Sequence, residues 1–557
     1  MESKLVLFIP VQGSQKMLRV FSTLFVVNFL ILYTNLFALD RDDSLYYANW
    51  HNLDPDIDKI YGIGTEKAYR DILNDKLPKK TIIVAVIDNG IDINHEDFKN
   101  QIWINKDEIP GNGIDDDNNG YIDDINGWNF LGNSKGEYIN YANLEVTRLY
   151  KKFKPTLDSF DIDELINSDT IDHKLYLKVK NNYESETKEL KRLTKKYKKL
   201  LDKFNVYDSI LTSLLDNEDY SVNDVKELKT KRNTLADSAR KFMITINKKG
   251  YSEETLRENN EYLKKKANYH YNLEFSSRHI IGDSVTVWDS VVYGNNDLFA
   301  YKPDHGTMVA GIIAANRNNN IGINGIVDSV KIMGIRAVPD GDEWDKDVAK
   351  AILYAIENGA DIINMSFGKE FSPQKSFIDS IVRLIDKNDV LIVHAAGNDN
   401  ENIDIMDHFP KKFSLNNELL VNNWITVGAS SIKTKKKIFI APFSNYGKES
   451  VDIFAPGYNM ISCNTGNTYD LVSGTSFAAP MVSGAAALIK SYYPELSAAQ
   501  IKEILLKSGK FKNIKVLLPG TKGKRKKYVK FSSLSASGGL LNVYKALKLA
   551  EELTLQQ

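Results

Sequence analysis

Three short stretches carry side chains that could act together on a carbonyl. Ser476 lies in Ser473-Gly474-Thr475-Ser476-Phe477-Ala478-Ala479-Pro480, where small residues lead into an apolar, Ala-rich segment of helical character. A serine at a helix start has unpartnered backbone N–H groups and the positive dipole end beside its hydroxyl. That setting suits a nucleophile whose attack creates an oxyanion, and it equally suits an ordinary N-cap. Pro480 reads as lying early enough in the helix for its missing N–H to be tolerated. Asp88 closes the apolar run Ile82-Ile83-Val84-Ala85-Val86-Ile87, which has the composition of a buried strand, just before the Asn89-Gly90 turn. His305, in Asp304-His305-Gly306-Thr307, stands just ahead of a small-residue helix. All three groups thus sit at edges of core elements, in the order Asp, His, Ser. A carboxylate, an imidazole and a hydroxyl are the parts needed to activate a serine for attack.

Taken together, the three motifs resemble those of the subtilisin-like serine peptidases, in which the triad follows this chain order. The resemblance runs from about residue 81 to 549, apart from one large insert. It implies a serine endopeptidase that cleaves polypeptides through an acyl-enzyme, with Asp88, His305 and Ser476 as triad and no cofactor for the chemistry. Ala395-Ala396-Gly397-Asn398 ends a buried apolar run in a glycine turn, and the resemblance makes Asn398 the side-chain donor to the oxyanion beside the Ser476 N–H. It also makes Ser366, Phe367 and Gly368 the strand that pairs with an extended substrate, and places Gly341 on a second substrate edge and Asp399 at the border of the primary pocket. Acids at Asp340, Asp342, Glu343 and Asp399 would then favour basic substrates. A catalytically silent binding protein on the same fold is the alternative, since fold does not imply activity.

The elements that must position these groups alternate along the chain. Apolar runs near 331–335, 361–366, 389–398, 424–429 and 451–454 read as strands, with helices at 347–358 and 377–386 between them. The pattern predicts an α/β fold, a three-layer α/β/α sandwich around a mostly parallel sheet, with the catalytic groups near the strand ends. The domain reading is a leader over 1–39, an N-terminal extension over 40–80, a first catalytic part over 81–136, an insertion over 137–285 and a second catalytic part over 286–557. No proline falls between Pro155 and Pro303. Two seams at three-four spacing, from Leu190 to Phe204 and from Val225 to Ile246, predict a helical hairpin that interrupts the catalytic fold. A protein-binding arm and a stabilising insertion packed on itself are both compatible with it.

The loop 111–124 is rich in carboxylates. With Asp115 as position one, Asp117, Asn119 and Asp123 fall at three, five and nine, Gly120 at the sharp turn and the Tyr121 carbonyl at seven. These are the oxygen spacings of a calcium loop, although position twelve is Asn126 and an acidic Asn-Gly turn has the same composition. A structural calcium is expected, because clustered carboxylates repel unless a cation joins them.

Composition sets the remaining bounds. The 557 residues are 43% hydrophobic, enough for one large core and an appended element. A net charge of −1 gives no electrostatic footprint for nucleic acid, and the basic run 522–527 reads as a solvated loop. Cys463 is the single cysteine, so export must be argued from targeting. Lys16 and Arg19 precede an apolar stretch over 20–39 that meets Asp40-Arg41-Asp42-Asp43. It reads as a cleaved secretory signal and hence an exported protein, secreted, periplasmic or on the surface. An uncleaved anchor, the only membrane association the chain implies, is the alternative. The 40–80 segment is short for an inhibitory prodomain with its own core.

Overall fold

The computed structural model describes residues 48–160, 171–317, 319–432, 439–509, 514–521 and 525–556. The apolar leader and Lys522 to Lys524 lie outside them. Two compact units emerge, Val146–Phe275 and the remainder of the described chain.

The larger unit is built on an eight-stranded sheet. Its strands are β1 (Ile82–Asp88), β2 (Gly127–Asn129), β3 (Val330–Arg336), β4 (Ile362–Met365), β5 (Leu391–Ala395), β6 (Trp424–Ser431), β7 (Ile453–Asn464) and β8 (Thr468–Ser473), in the order β2-β3-β1-β4-β5-β6-β7-β8. All neighbours are parallel except the β7–β8 hairpin. β1 is central and buried on both faces, and its side chains alternate between two cores. Ile82, Val84 and Val86 join Val309, Ile312, Met481 and Val482, whereas Ala85 and Ile87 join Met333, Ile335, Val348 and Ile352. A strand covered on both faces must be apolar at nearly every position, which is why 82–87 reads as a continuous run. The predicted three-layer arrangement is therefore observed. The sequence reading missed β2 and β8 and stopped β7 short, because β2 is only three residues long and β7 carries Pro456 and Gly457 inside it.

The smaller unit is helical. Glu145–Leu157 (α1) opens it, and the first predicted seam lies in one 45-residue helix, α2 (Ile171–Leu215). The second seam is divided into α3 (Val222–Glu227) and α4 (Leu235–Lys248), followed by α5 (Glu253–Lys265). The break has a local cause. Asn233 adopts a left-handed conformation (φ 64°), and the Thr234 side chain accepts from the Asp237 N–H as an N-cap. Arg232 and Leu235 consequently face solvent, while Val225, Ala239, Met243 and Ile246 are buried. Both α4 and α5 pack on α2.

Five further helices flank the sheet: α6 (Asp304–Ala314), α7 (Asp345–Glu357), α8 (Lys375–Val382), α9 (Thr475–Tyr492) and α10 (Ala498–Ser508), with α11 (Val543–Thr554) near the end of the chain. In the 40–80 segment, Ala48, Trp50, Leu53, Ile63, Ala68 and Leu73 join the core beneath α6 and α9. The Trp50 indole N–H donates to the Asn459 carbonyl at 3.0 Å. Among the described residues no helix is long and apolar enough to cross a membrane.

Candidate active site

β1 delivers Asp88 at its last position, and α6 delivers His305 at its second. The His305 Nδ1–H donates to Asp88 Oδ1 at 2.8 Å, although 217 residues separate them. This fixes the tautomer: a carboxylate oxygen can only accept, so Nε2 carries the lone pair. Asp88 Oδ1 also accepts from the Asn89 N–H at 2.8 Å. The imidazole is 35% exposed and Asp88 only 2%. Burial depresses the basicity of His305, but the charge and hydrogen bond of Asp88, with a contribution from Asp304, outweigh it and raise its pKa above the ordinary value.

Four residues that sequence reasoning passed over hold this pair. Asn89 donates through Nδ2 to Asp304 Oδ1 at 3.0 Å and accepts the Gly306 N–H at 2.9 Å, which ties the end of β1 to the first turn of α6. Asp304 Oδ1 accepts the His305 N–H at 2.8 Å. Gly306 permits the close approach, since a Cβ there would stand 2.0 Å from the Gly90 carbonyl oxygen. Arg336, at the end of β3 and fully buried, donates to the Asn89 carbonyl at 3.1 Å, Asn129 Oδ1 at 3.0 Å and the Ile139 carbonyl at 2.6 Å.

Ser476 is the second residue of α9, with an unpartnered first-turn N–H of the kind expected there. Its Oγ donates to the Ser366 carbonyl at 2.9 Å, and Ser366 Oγ donates back to the Ser476 carbonyl at 2.8 Å. The reciprocal pair explains Pro480, which stands in the second turn of α9, not the first. Lacking an N–H, it cannot bond the carbonyl four residues earlier. That carbonyl belongs to Ser476, and the Ser366 hydroxyl satisfies it. Ser366 is held in turn by Asn364 Nδ2 at 2.9 Å, and Asn364 Oδ1 accepts from Ser483 at 2.8 Å. The ring of Phe477, next to Ser476, lies 5.5 Å from that of His305.

Asn398 is also fixed in orientation. Its Oδ1 accepts from the Thr475 N–H at 2.8 Å and the Thr475 hydroxyl at 3.1 Å, so the side chain serves the first N–H of α9 in place of a cap. The amide Nδ2 is thereby turned the other way as a donor.

The remaining expected residues divide. Ser366, Phe367 and Gly368 continue from β4 beside Ser476, and Asp399 is exposed next to Asn398. Asp340 pairs through its N–H and carbonyl with Asn140 and Ala142, at 2.9 and 3.0 Å. Asp342 accepts the Glu145 N–H at 2.7 Å, and burial pushes the Glu343 carboxyl up to about 7. These two acids are thus engaged rather than displayed. Beneath them lies a buried cation that no sequence signal marked. Lys369 Nζ contacts Asp345 Oδ1 at 2.9 Å, Glu145 Oε2 at 3.0 Å and the Glu343 carbonyl at 2.7 Å, joining the chain after Gly368 to the chain after Gly341.

In the acidic loop, carboxylate oxygens of Asp115, Asp117 and Glu108 lie within 4.8 Å of one another. Glu108 was outside the predicted set, because it stands three residues before the loop and fits none of its ligand spacings. Its Oε1 accepts the Asp116 and Asp117 N–H groups at 2.8 and 3.2 Å. Asn119 donates to Asp117 Oδ2 at 3.0 Å. Asp123 instead anchors the loop, accepting the N–H groups of Gly111, Asn112 and Gly113 at 2.7, 3.2 and 2.9 Å. The Tyr121 side chain packs against Trp128 and Tyr354. Three converging carboxylates are a hard-oxygen donor set of the kind calcium takes.

A carboxylate at the end of an inner parallel strand, bonded to a histidine at one helix start, with a serine at another, is the arrangement expected of a subtilisin-type site on a parallel α/β sheet. The chain belongs to the subtilase family, whose model matches residues 79–531. Over 189 residues it is 37% identical to the thermophilic serine proteinase of Bacillus sp. (strain AK1), covering 34% of this chain and 43% of that protein. It is 36% identical to the major intracellular serine protease of Bacillus subtilis (strain 168), covering 38% and 62%, and 35% identical to subtilisin BL of Lederbergia lenta, covering 36% and 68%. The chain therefore spans less than two thirds of the first two of these relatives.

Proposed function

We propose that the protein is a serine endopeptidase in which Ser476 attacks a peptide carbonyl and forms an acyl-enzyme. The observation that carries this reading is the 2.8 Å bond between Asp88 and His305, with Nε2 left as a base. In the resting site the Ser476 hydroxyl faces the Ser366 carbonyl. Rotation about its Cα–Cβ bond turns it toward His305, which takes its proton as the oxygen bonds to carbon. Asp88 holds the tautomer and stabilises the imidazolium without becoming protonated. The developing oxyanion is met by Asn398 Nδ2 and the Ser476 N–H, both preorganised. His305 then protonates the leaving amine, and water repeats the sequence on the acyl group.

Substrate is read as an extended strand along Ser366, Phe367 and Gly368. Asp340 is paired on its outer edge, so strand alternation turns the peptide groups of Gly341 toward the opposite edge, where substrate would lie. Asp115, Asp117 and Glu108, with Asn119 bonded to Asp117, would hold a calcium ion that neutralises the loop and takes no part in bond cleavage. Export follows from the basic-then-apolar leader. A silent binding module is the weaker reading, since all four proposed catalytic groups are present and each makes an ordered hydrogen bond.

Labelling with a fluorophosphonate probe tests the proposal. The wild-type chain should label at Ser476 and hydrolyse peptide, while Ser476→Ala should neither label nor turn over. Turnover near wild type in Ser476→Ala, or in His305→Ala, would end the assignment.

A further inference from the structure

The basic run 522–527 belongs to a wider stretch of one-sided charge. From Ile504 to Ala550 there are twelve lysines and arginines and no aspartate or glutamate, so these cations meet no acid in their own stretch. In its middle the chain forms an antiparallel hairpin of β9 (Lys515–Leu517) and β10 (Tyr528–Lys530). Val516 pairs with Val529, and both turn inward to join Phe439, Phe454, Phe531 and Leu540. Alternation then sends Lys515, Leu517, Tyr528 and Lys530 to the opposite face. Lys515 stands directly across from Lys530, and like charges so placed destabilise a sheet. Arg525, Lys526 and Lys527 lead into β10, and all five cations are exposed. Among the described residues none of their side chains makes a hydrogen bond or an ion pair.

The hairpin is joined to the turn that carries Asn398. Gly520, just past β9, has φ 75°, and a Cβ there would stand 2.3 Å from Asn400 Oδ1. Asn400 is two residues beyond Asn398 and donates its N–H to the Phe443 carbonyl at 2.7 Å. Tyr446 donates its N–H to the Glu401 carbonyl at 2.9 Å and packs against the same cluster as Val529. Lys448 Nζ donates to the carbonyls of Ser532, Ser535 and Ala536 at 3.2, 3.0 and 3.1 Å. Two residues span at most about 7 Å, and the five positions from Gly520 back to Lys515 about 17 Å. The cations thus lie within about 25 Å of Asn398, which about seven residues of extended polypeptide cover. The acids on the intervening turn are Asp399, Glu401 and Asp404. Asp404 is taken up by the N–H groups of Lys448, Glu449 and Ser450 at 2.6, 3.1 and 2.8 Å.

We propose that the outer face of this hairpin is an exosite for acidic polypeptide, and that the protein prefers substrates carrying a run of aspartate or glutamate within about seven residues of the cut. A chain held at Ser476 and running past Asn398 and Asn400 meets the hairpin next, so the occupant is the flank of the substrate itself. Carboxylates laid along the ribbon would pair with cations that have no partner of their own, and one set between Lys515 and Lys530 would relieve their repulsion. Tyr528, 43% exposed between these cations, adds an apolar surface for the stems of the bound side chains. This inference rests on the protease reading and deepens it by naming a substrate class.

The test is a set of long peptides that share one cleaved sequence and carry Glu, Ser or Lys runs on either flank. Wild type at low ionic strength should cleave a Glu-flanked peptide with kcat/KM about tenfold above its Ser-flanked twin, chiefly through KM. The gap should close to less than about twofold near 1 M salt, where the Debye length is about 3 Å. Lys515→Glu combined with Lys530→Glu keeps a like-charged pair across the hairpin, so the cross-strand repulsion is matched while its sign is reversed. That variant should lose the advantage of the Glu flank and favour the Lys flank. Replacing Lys515, Lys526, Lys527 and Lys530 together with Ser should leave the three flanks equal. Equal KM for Glu and Ser flanks in wild type, or a preference that survives in both variants, overturns the proposal. Weakened binding to phosphatidylglycerol vesicles in the variants, with the peptide preference unmoved, overturns it in favour of a membrane surface. Fluorophosphonate labelling of Ser476 separates the two failures. A chain that labels but ignores the flanks refutes only the exosite, whereas a chain that neither labels nor cleaves refutes the protease reading beneath it.

Discussion

Replacing Lys369 with Met removes a buried positive charge and keeps most of its volume. In the wild type Nζ lies 2.9 Å from Asp345 and 3.0 Å from Glu145, and Lys369 and Asp345 are each 1% exposed at the side chain. The variant leaves two buried carboxylates without their cation. Breaking a buried pair from one side costs about 3–5 kcal/mol, far above the value of a surface pair. The unit that contains the cluster has about 390 residues. It should unfold with an entropy near 0.8 kcal/mol/K, so the melting temperature should fall by about 4–6 °C. The pH dependence has a definite sign. Burial then penalises the ionised form of both carboxylates, with no cation to offset it. The resulting penalty is fully present at high pH and is relieved as pH falls through the folded pKa. The deficit should therefore be widest near pH 8 and should shrink toward pH 5. Differential scanning calorimetry on the full chain at several pH values measures it, and Glu145→Gln in the Lys369→Met background should recover part of the loss. A deficit under about 1 °C, or one that is constant across this range, refutes the reasoning.

Three further outcomes follow from the site. Asn398→Ala should lower kcat by about 10²–10³-fold, the loss measured for the corresponding donor in subtilisin; an unchanged kcat would mean that Asn398 serves only to bond Thr475. Because Asp88 and Asp304 raise the His305 pKa against burial, kcat/KM should fall with acid at an inflection above pH 6.5. Asp304→Asn should move that inflection downward, and a profile flat between pH 5 and 8 counts against His305 as the base. The same shift adds stability below the unfolded pKa, lost as pH rises through the folded one. Chelation should lower the melting temperature through loss of a bound cation, and Asp117→Ala should abolish most of that response; a melting curve that ignores chelator leaves the loop as an acidic turn.

The proposed catalytic groups stand out in the sequence because each sits in a local pattern: an acid closing an apolar run, a histidine and a serine opening small-residue helices. The groups that hold them were not. Asn89 reads as a turn residue, Asp304 as a helix acid, and Arg336 and Lys369 as solvated cations, until the sheet places β1 beside β3 and the Gly368 strand beside Asp345. Glu108 fails to show for the same reason, since its partners are set by the folded path of the loop. In the insertion the apolar spacing survives the break at Asn233, so period alone joined what a cap divides. Pro480 shows the reverse case. Its place was read from the sequence, but its tolerance depends on a hydroxyl 110 residues away from Ser476.

The distance between Asp88 and His305 along the chain also sets a clock. The two lie 217 positions apart, and more than half of that span belongs to the insertion. For the equilibrium this matters little. Closing a loop costs entropy only as the logarithm of its length, so a prefolded insertion that shortens the effective loop to about 90 residues saves about 0.8 kcal/mol. Time along the ribosome scales linearly instead. At about 5–20 residues per second, Asp88 waits roughly 10–40 s for its histidine and then longer for Ser476. The side chains proposed as carboxylate, base and nucleophile thus emerge one after another, and nascent chains truncated before α9 should fail to label with a fluorophosphonate. A site assembled in this order stays incomplete through most of the chain's own synthesis, and the helical insertion lengthens that interval.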